Sequence, residues 1–260
     1  MNQFLIFNPK RFGQLLRRDL FFASKRVLLI GAGIFTFLVL FALGSFWHRD
    51  NDLMEFHQRF FPIILLAGGI LFTSSIFREA HQNQSGQIYL TLPASTLEKL
   101  LSKLLLSSVI FCVVVTTAYW LTSLLIGAMG SLIFGIDLPS FVPYDYYNRR
   151  FIVLFLILQS FFFLGAISFR RYSWVKTGLT AFVTAIVMVL IFALIARLIF
   201  WDLFNGWAIS RYEVEKVVPS EGFDNFARFQ LRHILNFLLY GVTPLLLWTV
   251  SFFKLKEKEI

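Results

Sequence analysis

The chain has little charge and almost no cysteine. Only 15% of its 260 residues are charged, and Cys112 is its single cysteine. One cysteine excludes an internal disulfide and leaves the redox compartment undefined. Because Cys112 lies inside an apolar run, we interpret it as a small side chain packed between helices rather than a reactive thiol. So few charges exclude an ordinary soluble domain.

Sequence motifs for catalysis are also missing. There is no Gly-x-x-x-x-Gly-Lys-Ser/Thr nucleotide loop, no His-Glu-x-x-His metal pair and no Gly-x-Ser-x-Gly elbow. We therefore expect no catalytic residue, no bound cofactor and no enzyme activity in this chain. Any work driven by ATP would require a separate subunit.

Long apolar runs take the place of these motifs. Hydrophobic residues make up 57% of the chain, 33 residues are phenylalanine, and the mean hydropathy is +0.71. A helix needs about 20 apolar residues to cross a bilayer. Six runs meet this requirement, near residues 28–46, 60–77, 104–126, 151–169, 177–200 and 233–253. The sequence predicts an all-α integral membrane protein, with residues 1–260 forming a single transmembrane domain of six helices.

The segment before the first run is basic and amphipathic. It holds six Lys and Arg residues and a single acid, Asp19. Asn8 and Pro9 form a good helix start, because Asn caps free N–H groups and Pro suits the first helical position. We predict that residues 9–26 form an interfacial helix lying along the cytoplasmic membrane surface. The alternative is a charged flank without a structural role.

The distribution of basic residues predicts the orientation. With both termini inside, the inner segments carry 15 Lys and Arg residues and the outer loops carry eight. Cytoplasmic segments are enriched in these residues. We therefore expect both termini in the cytoplasm and the protein in the cytoplasmic (inner) membrane, crossing it several times. The net charge of +9 is then explained by contacts with lipid headgroups rather than nucleic acid.

The predicted outer loops, residues 47–59, 136–150 and 201–232, offer only weak candidates for a site. His48, Glu55 and His57 could bind a metal, but a solvated loop of mixed charge is the better interpretation, so no metal site is predicted. Arg197 is the only formal charge placed within a span. It is a weak candidate for a substrate-binding or gating residue, and the alternative is that it reaches the interface beside Asp202.

The segment between the second and third runs, residues 79–103, has more specific features. Ser95 and Glu98 have the spacing of a capping box, in which each side chain accepts a hydrogen bond from the other's backbone N–H. The preceding residues from Ile88 to Pro93 place apolar side chains just outside the bilayer. A loop that only reconnected two spans would not need such a surface. We interpret it as a docking element; the alternative is an interfacial stretch lying against headgroups.

At these residues the chain resembles the permease subunit of type-2 ABC transporters. The similarity runs through Glu79, Gly86, the stretch Leu90-Thr91-Leu92-Pro93-Ala94-Ser95, and Lys103. That family also has a basic amphipathic helix at the N-terminus, six spans, a cytoplasmic coupling segment between spans two and three, and extra hydrophobic structure between spans five and six. One departure is Thr96, where many members have a basic residue; Lys99 is the nearest replacement.

The resemblance implies a function and a set of partners. A separate cytoplasmic ABC ATPase, carrying ATP and Mg, would bind the coupling segment and drive export. A second permease, identical or different, would complete the transport path. The residues implied in coupling to the ATPase are Gln87, Tyr89, Leu92, Pro93, Glu98 and Lys103.

Two other classes of function fit the same composition. One is a membrane scaffold or assembly factor of an envelope complex that uses no ATP, which would not need the apolar surface of the coupling segment. The other is an intramembrane enzyme acting on lipid, for which we would expect His, Asp or Glu clustered at span ends. Few such residues lie within the spans.

Overall fold

The structure of the protein, a computed structural model, describes residues 7–48, 53–81, 89, 91–135, 140–199, 204–205, 208–209 and 232–259. Helices dominate this part of the chain. The α-helices are α1 (Pro9–His48), α2 (Leu53–Ser74), α3 (Arg78–His81), α4 (Thr96–Leu105), α5 (Phe111–Met129), α6 (Tyr146–Ser168), α7 (Ser173–Ile199), α8 (Arg232–Phe237) and α9 (Thr243–Glu259). Three π-helical turns extend them, at Leu106–Ile110, Gly130–Phe134 and Leu238–Val242.

Six helical stretches are long and apolar enough to cross a membrane. They are Pro9–Phe41, His57–His81, Thr96–Leu132, Tyr146–Ser168, Ser173–Ile195 and Leu238–Lys258. Each overlaps one of the six predicted runs, so the predicted all-α architecture with six potential spans is confirmed. The chain is therefore a multi-pass membrane protein by the length and composition of its helices.

α1 differs from the prediction of an interfacial helix followed by a separate span. It is one uninterrupted helix of 40 residues, about 60 Å long at 1.5 Å per residue. No glycine or proline lies between Gly13 and Gly31 to stop it. Leu15, Asp19 and Ala23 recur four residues apart and are buried. The basic half of α1 therefore packs one face against the rest of the protein.

Aromatic side chains fill the core between α2, α5 and α6. The ring of Phe61 lies 4.6 Å from that of Phe141 and 5.3 Å from that of Tyr119, measured between centroids. Phe72 stacks on Phe111 at 5.0 Å. Aromatic pairs at such separations add specific stabilisation to apolar burial. The phenylalanine-rich composition thus serves helix packing.

Glycines allow the closest helix contacts. A side chain at Gly69 of α2 would collide with the ring of Phe155 on α6, and one at Gly165 of α6 would collide with Thr177 on α7. Small residues let helix backbones approach closely in membranes. α6 therefore holds α2 on one side and the first turns of α7 on another.

The rest of α7 contacts little else. Every residue from Leu179 to Ile195 is exposed in the single chain. The α6–α7 connection is short, and Tyr172 within it has a left-handed backbone with φ 53°. In the predicted outer loop 201–232, the structure describes an antiparallel strand pair, β1 (Phe204–Asn205) with β2 (Ala208–Ile209), and the first residue of α8.

Candidate functional site

The candidate site is α4 and the residues before it, at the start of the third span. The predicted capping box is confirmed: Ser95 Oγ accepts a hydrogen bond from the Glu98 N–H at 3.2 Å, and Glu98 Oε2 accepts one from the Ser95 N–H at 2.8 Å. Both free N–H groups are satisfied, so α4 has a defined start. α4 continues through the π-helical turn Leu106–Ile110 into α5.

Glu98 also joins α4 to the beginning of α1. Its side chain is fully buried. Oε1 accepts a hydrogen bond from the Asn8 N–H at 2.6 Å and one from Arg11 Nη2 at 3.3 Å. A buried carboxylate requires such partners, because burying an unpaired charge is costly. The first turns of α1 and α4 are therefore held together.

A second link joins the same helices one to two turns further along. Lys103 Nζ donates to Asp19 Oδ1 at 3.0 Å, and Ser102 Oγ donates to Asp19 Oδ2 at 2.7 Å. The side chains of Lys103 and Asp19 are 4% and 0% exposed. Glu79 of α3 lies 3.8 Å from Lys103 and 3.6 Å from Arg18. We call Asp19, Glu79, Glu98 and Lys103, with Arg11 and Arg18, the ion network.

Tyr89 covers the ion network from the preceding segment. It is 1% exposed. Its ring centroid lies 5.5 Å from Lys103 Nζ and 5.7 Å from Lys99 Nζ, within the range of a cation–π interaction. Lys99 is 2% exposed, so its amine is directed into the protein rather than toward the surface.

The outward surface of this region is apolar. Leu97 is 41% exposed, Pro93 is exposed, and Leu92 is partly buried. We call Leu92, Pro93 and Leu97 the outer face of the site. One side of α4 is thus bonded to the protein's own helices, while Leu97 on another side is exposed.

The predicted coupling residues fall into three groups. Tyr89, Glu98 and Lys103 are buried and contact other parts of this chain, while Pro93 is exposed and Leu92 is partly buried. Gln87 is outside the described residues. Sequence reasoning missed the roles of Asp19 and Leu97. The signal for Asp19 was its position as the only acid in a basic segment, at a spacing of four from Leu15 and Ala23.

The other sequence candidates lie elsewhere. Arg197 is partly buried in the last turn of α7, and its role stays a prediction. His57 was predicted in a solvated loop; this is wrong, because α2 begins at Leu53 and buries it, with His57 Nδ1 at 3.0 Å from Tyr119 Oη. Among the residues the structure describes, no group of three or more His, Cys, Asp or Glu side chains could hold a metal.

Buried hydrogen bonds join α4 to the N-terminal region of the chain, and α5 continues α4 through the π-helical turn Leu106–Ile110. No protein-family model matches the sequence, and neither the curated proteins nor the solved structures include a match. The function is therefore inferred from the chain's own residues.

Proposed function

We propose that the chain is the membrane-spanning permease subunit of an ATP-driven exporter of the type-2 ABC class. ATP and Mg would bind to a separate cytoplasmic ATPase subunit, because this sequence has no nucleotide loop. A second permease would complete the transport path. The protein would lie in the cytoplasmic membrane with both termini inside.

The observation that carries the proposal is the two-sided character of α4. Its inner side holds the buried residues Glu98, Ser102 and Lys103, each bonded to the N-terminal region of the chain. Its outer side exposes Leu97 next to Pro93. A loop that only reconnected two spans would need neither the buried bonds nor the exposed apolar surface.

The different exposure of the proposed coupling residues supports different roles for them. Leu92 and Pro93, with Leu97, would contact the ATPase. Tyr89, Glu98 and Lys103 would act as positioning residues, since their side chains are buried against this chain. Closure of the ATPase would then move α4 as part of a rigid unit with α1 and α5.

The exposure of α7 supports a second permease. A helix with charged residues at its ends and an apolar, uncovered middle can face lipid or another protein, and small residues favour the second. Gly178, Ala181 and Ala185 lie on one side of α7 at spacings of three and four. Six spans would line half of a path, and a second subunit would line the other half.

The test is co-purification of an active ATPase. The tagged protein, extracted from its native membrane in mild detergent, is expected to carry a subunit with a nucleotide loop and Mg-dependent ATP hydrolysis. Leu97→Glu should remove this activity, because it places a charge in an apolar contact. Val142→Glu is the matched control, since Val142 is a similarly exposed apolar residue outside the helices.

The outcomes separate the classes of function. Loss of ATPase with Leu97→Glu, but not with Val142→Glu, supports the permease. If no ATPase co-purifies with the wild-type protein, the scaffold or assembly-factor interpretation is favoured. Equal ATPase recovery with both variants would remove the outer face as the coupling surface. Size-exclusion chromatography of each variant controls for folding.

A further inference from the structure

A polar cleft lies at the same end of the helices as α4, since it is lined by Arg78 and the adjacent Glu79 lies near Lys103. Its volume is about 410 Å³, and it opens between the α2–α3 corner and the α6–α7 connection. This is within the range of ligand pockets. The residues that matter for its chemistry are Leu71, Ser75, Arg78, Arg170, Arg171 and Trp174.

The cleft is strongly basic. Arg78, Arg170 and Arg171 line it, and none of the described residues that line it is acidic. Arg170 Nε donates a hydrogen bond to the His81 carbonyl at 2.9 Å. Arg26 of α1 contacts Ser75 of the cleft wall, because its Nη1 donates a hydrogen bond to Ser75 Oγ at 3.0 Å. Three arginines therefore line the cleft, and a fourth, Arg26, is bonded to Ser75 of its wall.

In the part of the chain that the structure describes, acids do not pair with Arg78 or Arg171. Glu79 is adjacent to Arg78 in the chain, but its carboxylate lies near Arg18 and Lys103. Among the described residues, no carboxylate lies within salt-bridge distance of Arg78 or Arg171. Each guanidinium group can donate a pair of N–H···O hydrogen bonds to a phosphate. The arginines of the cleft are therefore suitable donors for an anion that carries phosphate oxygens.

The wall of the cleft toward the spans is apolar. Leu71 is 54% exposed and Trp174 is 50% exposed. Both lie on helices long enough to cross the membrane, in the turns nearest the arginines. Tryptophan is enriched where hydrocarbon meets headgroups. The cleft is thus basic where the arginines line it and apolar where Leu71 and Trp174 line it.

We propose that this cleft binds the headgroup phosphate of an anionic phospholipid in the adjacent leaflet. Arg78 and Arg171 contact the phosphate, with Arg170 adding charge, and the acyl chains lie along Leu71 and Trp174. The inference requires only that the chain spans a membrane. It does not depend on an ATPase or on transport.

The test is lipid binding by the purified full-length protein in detergent. Short-chain phosphatidylglycerol is titrated while the melting temperature is followed, with phosphatidylcholine of the same chain length and free glycerol phosphate as comparison ligands. We expect phosphatidylglycerol to stabilise the protein at the lowest concentration. The double variant Arg78→Gln with Arg171→Gln should weaken this effect by about tenfold or more.

The matched control removes the same charge at the same end of the molecule. Arg17→Gln with Lys25→Gln changes two exposed cations on α1 and should leave phosphatidylglycerol binding within about twofold of wild type, because they do not line the cleft. Arg78→Lys with Arg171→Lys should bind with intermediate affinity, since lysine keeps the charge but not the paired contact.

Three results would overturn the proposal: equal stabilisation by phosphatidylglycerol and phosphatidylcholine, full stabilisation by glycerol phosphate alone, or equal weakening by the control pair. A photoactivatable phosphatidylglycerol provides a readout on the wild-type protein that does not depend on variant folding. Its cross-links should map to the peptide around residues 169–174. Labelling spread evenly over all spans would contradict the site.

Discussion

The Asp19–Lys103 pair is the most consequential contact at the scale of single residues. Both side chains are almost completely buried, and Ser102 completes the carboxylate's hydrogen bonds. A buried ion pair is not by itself strong evidence for stability, because both charges lose their hydration. Losing one partner is different, since the other charge is then left buried without compensation. The pair therefore specifies how α1 and α4 align.

Lys103→Met tests this role. We expect it to destabilise the protein by about 3–5 kcal/mol, because the Asp19 carboxylate stays buried without its cation. The melting temperature in detergent is the measurement. The double variant Asp19→Leu with Lys103→Met should recover most of the loss, since no charge remains unpaired.

Arg17→Met is the control for this experiment. Arg17 lies on the same helix as Asp19 but is exposed, so its loss should change stability by no more than about 0.5 kcal/mol. If Lys103→Met proves as mild as Arg17→Met, the pair does not fix the two helices.

At the scale of elements, local patterns could be predicted and distant contacts could not. The start of α4 was predictable, because Ser95 and Glu98 are three residues apart and their bonds are local. The bond from Glu98 to Asn8 joins residues 90 positions apart, and spacing carries no information about such pairs. The continuity of α1 was missed because an amphipathic helix and a membrane span share the same helical period. Without a glycine or proline to break the helix, the sequence does not mark where one would end and the other begin.

Helix packing in α2 can be tested with two neighbouring glycines. A Cβ at Gly69 would collide with the Phe155 ring, whereas one at Gly68 would meet only Phe111 Cζ at 3.5 Å, an ordinary contact. We expect Gly69→Ala to destabilise by about 1–3 kcal/mol through overpacking. Gly68→Ala should be neutral or slightly stabilising, because alanine favours a helix.

Melting temperatures of the two glycine variants provide the comparison. Phe155→Leu should restore part of the stability of Gly69→Ala, since the smaller side chain vacates the space a Cβ needs. Similar melting temperatures for Gly68→Ala and Gly69→Ala would contradict the close approach of α2 and α6.

At the scale of the whole molecule, the orientation predicted from the basic residues can be measured. Val142 and Glu257 are exposed at opposite ends of the helices. In a Cys112→Ala background, Val142→Cys should react with a membrane-impermeant maleimide on spheroplasts. Glu257→Cys should react only after the membrane is permeabilised, because the positive-inside rule places the C-terminus in the cytoplasm. The reverse labelling pattern would show that the C-terminus lies outside the cytoplasm and would contradict the predicted orientation.

The exposed length of α7 leads to a last prediction, about assembly. If α7 meets a second copy of this chain through the exposed Ala181 and Ala185, backbones can approach closely there. In the same Cys112→Ala background, Ala185→Cys should then form a disulfide-linked dimer when native membranes are oxidised. Val113→Cys is the control, because Val113 is an exposed residue on α5. Equal cross-linking at both positions would indicate random collision, whereas a dimer specific to Ala185 would identify α7 as the contact face between two copies of this chain.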